Sequence, residues 1–252
     1  MVEGLDRFKA HFSNYTDRYV LIGGTASSLA MEELGQEFRT TKDLDIVFCI
    51  ETLDRDFTQA FWDFIKLGEY NNCQKSTGKR LFYRFYGPKQ KGFPEMLELF
   101  ARVSDALDLK ESSILTPIPV DDEVSSLSAI LLDDDYYTFV MQNRVLIHGL
   151  SIIKAETLIP LKAFAYLNLM NQKASGQKVQ SQHIRKHKND IYRLFTVLDT
   201  GLKLIIPKTI QVDLKIAFER LADEPTDLKL LGISRMKNAE VLAELSRFYG
   251  LI

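Results

Sequence analysis

The stretch from Tyr19 to Ile50, YVLIGGTASSLAMEELGQEFRTTKDLDIVFCI, constrains the fold more than any other part of the chain. Tyr19-Val20-Leu21-Ile22 is a short apolar run that reads as a buried strand. Gly23-Gly24-Thr25 is a turn at which backbone can approach a ligand closely. Ala26 to about Gly35 is rich in good helix formers. Arg39-Thr40-Thr41-Lys42 then leads into Asp43-Leu44-Asp45-Ile46-Val47-Phe48, a second strand pattern. Strand, glycine turn, helix and acidic strand follow one another, with a gap from Gly24 to Asp43 that suggests an extra helical turn or a longer loop.

Alternation along a strand puts Asp43 and Asp45 on one face, with Cα atoms roughly 6.5–7 Å apart. Both carboxylates can then reach one divalent cation, or two held roughly 3.5–4 Å apart. Leu44 and Ile46 face the other way, into a core. The glycines precede a helix start, where unpaired N–H groups and the positive end of the dipole favour phosphate. The stretch therefore combines a phosphate cradle with a metal platform.

The flanking chain is mixed. Residues 1–18 read as an amphipathic helix with Leu5, Phe8 and Phe12 on one face, and Thr52 to Leu67 as a helix with Phe57, Phe61, Phe64 and Ile65 on one face. Strand patterns at Arg80 to Tyr86 and Met96 to Phe100 are joined by the turn-rich GPKQKGFPE, a hairpin expected to join the sheet of the aspartates. From Glu111 to Ile153 the expectation is β-rich: an edge segment at Ser112 to Val120, strands at Leu127 to Leu132, Tyr136 to Met141 and Val145 to Ile153, and a turn at Asp133-Asp134-Asp135. Beyond Lys154 the pattern is helical: a helix from Thr157, as cap, to about Gln172, with Pro160 in its first turn, then His183 to Leu198, Thr209 to Ala222 and Ser234 to Tyr249. The composition shift near 155 marks a boundary, giving domains at 1–154 and 155–252. His183 and His187 have the i, i+4 spacing of a zinc pair, but no further ligand set accompanies them.

Glycine pair, helix, then Asp-Leu-Asp on the next strand resembles the nucleotidyltransferases with a DNA-polymerase-β-type core. Thr25-Ala26 and Arg39 resemble the AbiEii/AbiGii toxin-like branch in particular. Lys162 and Ala165, in SIIKAETLIPLKAFAYL, resemble that branch's K-x-x-A motif, and RKHKNDIYRL, residues 185–194, resembles its K-x-x-D-type helix, with Lys188 or His187 paired to Asp190. The resemblance implies an α+β fold: a nucleotidyltransferase mixed sheet with flanking helices, plus a C-terminal helical bundle. It implies Asp43, Asp45 and a third carboxylate on a neighbouring strand as catalytic ligands of Mg²⁺ or Mn²⁺. Glu98 fits that third place best, with Glu95 its rival. Gly23, Gly24, Thr25, Arg39, Lys162, Lys188 and Asp190 would bind the nucleotide. The implied reaction moves an NMP from an NTP to an acceptor, with RNA or tRNA as the acceptor and a cognate antitoxin as a partner. A transferase acting on a small molecule such as an aminoglycoside, and a nucleotide-binding partner protein without turnover, are the alternatives.

Composition limits the surroundings in which this can happen. With 46% apolar and 26% charged residues among 252, the chain has the make-up of an ordinary globular protein with a substantial core. A net charge of −2 excludes a polycation that coats nucleic acid, so any RNA contact must come from a local patch. Two cysteines, Cys49 and Cys73, make no disulfide framework. No run approaches the roughly 18 apolar residues of a membrane span, so no membrane partner is expected and the cytoplasm is the expected location.

Overall fold

A computed structural model describes residues 2–52, 54–72, 84–101, 133–224 and 226–252. The architecture is α+β. Among the described residues, six strands form one mixed sheet: β1 (Tyr19–Ile22), β2 (Asp43–Phe48), β3 (Arg84–Tyr86), β4 (Met96–Phe100), β5 (Arg144–Ile147) and β6 (Leu150–Ile153). Their spatial order is β3-β4-β2-β1-β6-β5. β1 pairs antiparallel with β2 and parallel with β6; β2 pairs parallel with β4. All four residues of β1 are buried, as an apolar run at the centre of a two-layered sheet requires. The expected strands at Ser112 to Val120 and Leu127 to Leu132, Cys73, and the first residues of the Arg80 to Tyr86 strand lie outside the described residues.

Helices α1 (Leu5–His11) and α3 (Arg55–Gly68) cover one face. Asp54 caps α3 by accepting from the Phe57 amide at 2.8 Å, and Phe57, Phe61, Phe64 and Ile65 are buried on its inner side. Phe48 meets Phe57 and Phe61 edge-on at 5.3 and 5.4 Å, and Phe8 meets Tyr19 at 5.2 Å. This aromatic layer occupies the Leu44, Ile46 and Phe48 side of β2, which leaves Asp43 and Asp45 on the side facing α2 (Gly23–Glu32). The helical region consists of α5 (Ala155–Ala174), α6 (Ser181–Phe195), α7 (Lys208–Asp223) and α8 (Asn238–Phe248), with α5 packed against α2. No helix among the described residues is long and apolar enough to cross a membrane.

Three local expectations are corrected. Tyr136 to Met141 is not a strand but part of α4 (Asp134–Gln142). Asp133 is its N-cap, accepting from the amides of Asp135 and Tyr136, so the aspartate triplet starts a helix where a hairpin turn was expected. The buried set Tyr136, Tyr137, Phe139 and Val140 follows helical spacing, hidden in a run of β-prone aromatics. Val145 to Ile153 is a hairpin of β5 and β6, turned by His148 and Gly149 at φ 50° and 77°, the pair of left-handed residues that a two-residue hairpin loop needs. Finally, α5 begins at Ala155 with Lys154 as its cap, so Pro160 stands in the second turn and Thr157 does not cap.

That proline has a structural remedy. Without an N–H, Pro160 leaves the Glu156 carbonyl without its helical donor. The Tyr249 hydroxyl donates to Glu156 O at 2.8 Å, from a side chain 1% exposed just beyond α8. The contact fastens the C-terminal end of the described chain to the first turn of α5. Tyr249→Phe should leave that carbonyl buried and unpaired and cost about 1–3 kcal/mol in urea unfolding, with far-UV circular dichroism unchanged.

Candidate functional site

β2 brings its aspartates between two partners. Asp45 stands opposite Ile22 of β1 and opposite Glu98 of β4. Adjacent strands lie about 4.8 Å apart, so Asp45 and Glu98 are immediate lateral neighbours. Asp45 and Glu98 are each 8% exposed, and Asp43 is half-buried at the open end of the same face.

The glycines set the distance between this strand and α2. Gly23 has φ 65°, and a Cβ there would fall 1.7 Å from Asp45 Oδ2, so only glycine admits the carboxylate. A Cβ on Gly24 would meet Thr41 Oγ1 at 2.6 Å. Both glycines lie in the first turn of α2 rather than in a loop before it. Thr25 is fully buried and its hydroxyl donates to the Asp43 carbonyl at 2.8 Å, which ties α2 to β2 and occupies the hydroxyl within the protein.

The carboxylates repel one another. Burial and then the nearby Glu98 push the Asp45 carboxyl up to about 7, against the pull of Lys162 and Lys186. Burial also raises Asp43, with Lys186 opposing it and Glu95 reinforcing it. Glu98 is the member with a counter-ion: Arg84 of β3 reaches Glu98 Oε1 through Nε at 2.6 Å and Nη2 at 2.5 Å. Among the described residues, no three His, Cys, Asp or Glu side chains are gathered into a ready metal cage. The donors that are present, hard carboxylate oxygens with unrelieved negative charge, fit Mg²⁺ or Mn²⁺ in kind. Asp43 and Asp45 would be the first ligands, and Glu98 a third once it shares its charge with Arg84.

A second, oppositely charged cluster forms around Asp190 of α6. Asp190 is fully buried and takes a two-pronged bond from Arg39, Nε to Oδ1 at 3.0 Å and Nη2 to Oδ2 at 2.8 Å. Lys162 of α5 reaches Oδ2 at 3.2 Å and Arg193 approaches Oδ1 at 3.6 Å. Burial alone would raise the Asp190 carboxyl, but Lys162 and then Arg39 hold it down at about 2. Lys162 is only 1% exposed, so it is no solvated surface lysine. Burial lowers its pKa, and Asp190 and Asp45 counter that effect. His187, one turn before Asp190, is buried and held neutral by burial and by Lys162; its Nδ1 has no partner.

The structure thus gathers Asp43, Asp45, Glu98, Gly23, Gly24 and Thr25 into one group, and Arg39, Lys162 and Asp190 into a second whose lysine bears on Asp45. Lys188 joins neither. It points from the other side of α6, its ammonium donating to the Glu224 carbonyl at 3.0 Å and lying 3.4 Å from that residue's carboxylate. His183 is exposed while His187 is buried, so the two do not form a pair. Arg84 is a site neighbour that the motifs did not single out, and Lys186 lies in the K-x-x-D-type segment without having been given a role there. The one available signal for Arg84 was its place in a strand expected beside Glu98, and register across strands is not written in sequence spacing. Comparison with protein-family models, with curated proteins and with solved structures finds no match.

The Asp190 cluster generates a test of stability. Asp190→Asn leaves the Lys162 ammonium buried without its partner and should cost about 3–5 kcal/mol, whereas Lys162→Met combined with Asp190→Asn should recover much of that loss. The pH dependence has a definite sign. A carboxyl depressed from 3.8 to about 2 contributes stability that is present above pH 4 and lost as pH falls toward 2. The parent should therefore lose about 2 kcal/mol more than Asp190→Asn over that interval in denaturant titrations.

Proposed function

We propose that this chain is a metal-dependent nucleotidyltransferase, built on a polymerase-β-type core as the motif resemblance implies. The observation that carries the reading is the register of Asp45 against Glu98, with Asp43 on the same face and the uncapped first turn of α2 immediately beside them. Buried carboxylates repelling one another are costly to keep, and a cation that they share removes the cost. The acceptor hydroxyl attacks the α-phosphorus of an NTP, the bond from that phosphorus to the bridging oxygen breaks, and pyrophosphate leaves. The hydroxyl proton passes to the carboxylate group. A bound Mg²⁺ or Mn²⁺ would supply charge neutralisation at the phosphate oxygens.

The chain's own residues do the rest. Asp43 and Asp45 hold the cation, and Glu98 completes the set. The amides of the first α2 turn, brought against Asp45 and Thr41 by Gly23 and Gly24, would orient the outer phosphates beside the cation. Lys162 and Arg39, fixed by Asp190, supply preorganised positive charge where the leaving group gathers negative charge. Asp190 acts through them as a positioning residue. Arg39, Lys186 and Arg193 make the surroundings cationic, which favours a polyanionic acceptor such as RNA over a cationic amino sugar.

Incubation with each of the four α-labelled NTPs, Mg²⁺ and total RNA tests the reading. Label should move to RNA with release of pyrophosphate, and Asp45→Asn should reduce transfer by at least about 100-fold. The same substitution removes a repelling charge, so the metal-free variant should melt no lower than the parent at pH 8, and metal plus NTP should raise the melting temperature of the parent only. Transfer by Asp45→Asn at the parental rate would end the proposal.

A further inference from the structure

Four strands carry one row of side chains across the carboxylate face. Arg84 of β3 is registered opposite Glu98 of β4, Glu98 opposite Asp45 of β2, and Asp45 opposite Ile22 of β1. Arg84 and Glu98 face each other across an antiparallel pair, where opposed Cβ atoms lie about 4.5–5.5 Å apart. Glu98 and Asp45 are neighbours at the strand spacing of about 4.8 Å. The row therefore runs cation, anion, anion, with Glu98 between the guanidinium and the second carboxylate.

The contact of Arg84 with Glu98 is one-sided. Nε and Nη2 both reach Oε1, at 2.6 and 2.5 Å, and among the described residues Oε2 takes no bond. A guanidinium has five N–H donors in a planar fork, so donors remain beyond those given to Oε1. The Arg84 side chain is 30% exposed and that of Glu98 10%, so it is the guanidinium that solvent reaches. Its charge also bears on Asp43, at the open end of the same face.

Two kinds of positive charge therefore compete for Glu98. A divalent cation on Asp43 and Asp45 draws on the charge of Glu98 as a third ligand, and a guanidinium already paired with that carboxylate opposes it. Lys162, which also bears on Asp45, is committed to Asp190 at 3.2 Å. A condensed phosphate reverses the balance at Arg84. Its oxygens accept from the remaining N–H groups, neutralise the guanidinium and leave Glu98 to the cation.

We propose that Arg84 is an internal counter-ion that opposes cation binding in the empty site and becomes a phosphate ligand when the nucleotide arrives. The inference rests on the carboxylate row being the cation platform of the proposed function. It adds a coupling between the two ligands, carried by one side chain of β3 and reciprocal by linkage. The carboxylates then hold their cation firmly only with the nucleotide in place.

Titration of the nucleotide-free protein with Mn²⁺ at pH 8, followed by the electron paramagnetic resonance signal of the free ion, tests the first half. Arg84→Gln, which keeps a donor for Glu98 without the charge, and Arg84→Met should each bind Mn²⁺ about tenfold more tightly than the parent. Arg84→Lys, which keeps the charge, should bind it about as the parent does. Isothermal titration with tripolyphosphate in EDTA tests the second half, and Arg84→Gln should bind about tenfold more weakly than the parent. Equal Mn²⁺ affinity in the parent and Arg84→Gln overturns this inference and leaves the cation platform standing. Mn²⁺ binding by none of these proteins overturns both. Tripolyphosphate binding that is absent in the parent, or equal in the parent and Arg84→Gln, overturns the phosphate role and the coupling with it.

Discussion

The buried carboxylate of Asp190 holds the two halves of the molecule in register. Arg39 comes from the segment between α2 and β2, Lys162 from α5, and Asp190 itself from α6. A single fully desolvated anion thus draws a cation from the sheet half and a cation from the helical half onto its two oxygens. Lys162 in particular is fully buried and would be expensive to leave unpaired. The geometry of the proposed site follows from this, because Lys162 is held beside Asp45 by its bond to Asp190 rather than by the flexibility of a surface lysine.

The carboxylate face shows the opposite balance. Asp43, Asp45 and Glu98 are brought together by strand register, and Arg84 neutralises only Glu98. A fold stabilised for its own sake would place an asparagine or a leucine at position 45, where burial pushes an aspartate to about 7. Strain of this kind, next to a glycine whose missing side chain is what admits the carboxylate, is what the proposed cation would relieve. The neighbouring Asp190 cluster, with its surplus of cations, complements it. On the proposed reading, the two clusters would serve the two ends of a metal–nucleotide, the carboxylates the divalent cation and the cationic cluster the condensed phosphate.

How much of this was legible in the chain depended on the range of the interaction. Tyr19 to Phe48 could be read because strand, turn, helix and strand are local and each has its own residue signature. Glu98 was picked out because the resemblance implies a carboxylate on a neighbouring strand, while its register opposite Asp45 is supplied by the structure alone. Tyr136 to Met141 was misread because aromatic and β-branched residues suit a strand, while the helix is decided by the Asp133 cap and by burial against α5. Lys162 could be found by motif, but its burial could not, since that depends on a partner far along the chain. Lys188 shows the same limit from the other side: it is two residues from Asp190 in sequence and on the other side of the helix in space.

α6 is best understood through that two-sidedness. One helix carries Asp190 toward Arg39 and Lys162 and Lys188 toward Glu224, so the basic run Arg185 to Lys188 is divided between two environments although it reads as one patch. Charge density in sequence is therefore a poor guide here. Lys186 bears on Asp43 and Asp45, Lys188 is spent on Glu224, and Arg185 is exposed. Asp190 fixes that division, because its ion pairs with Arg39 and Lys162 hold one side of α6 against the sheet half and α5.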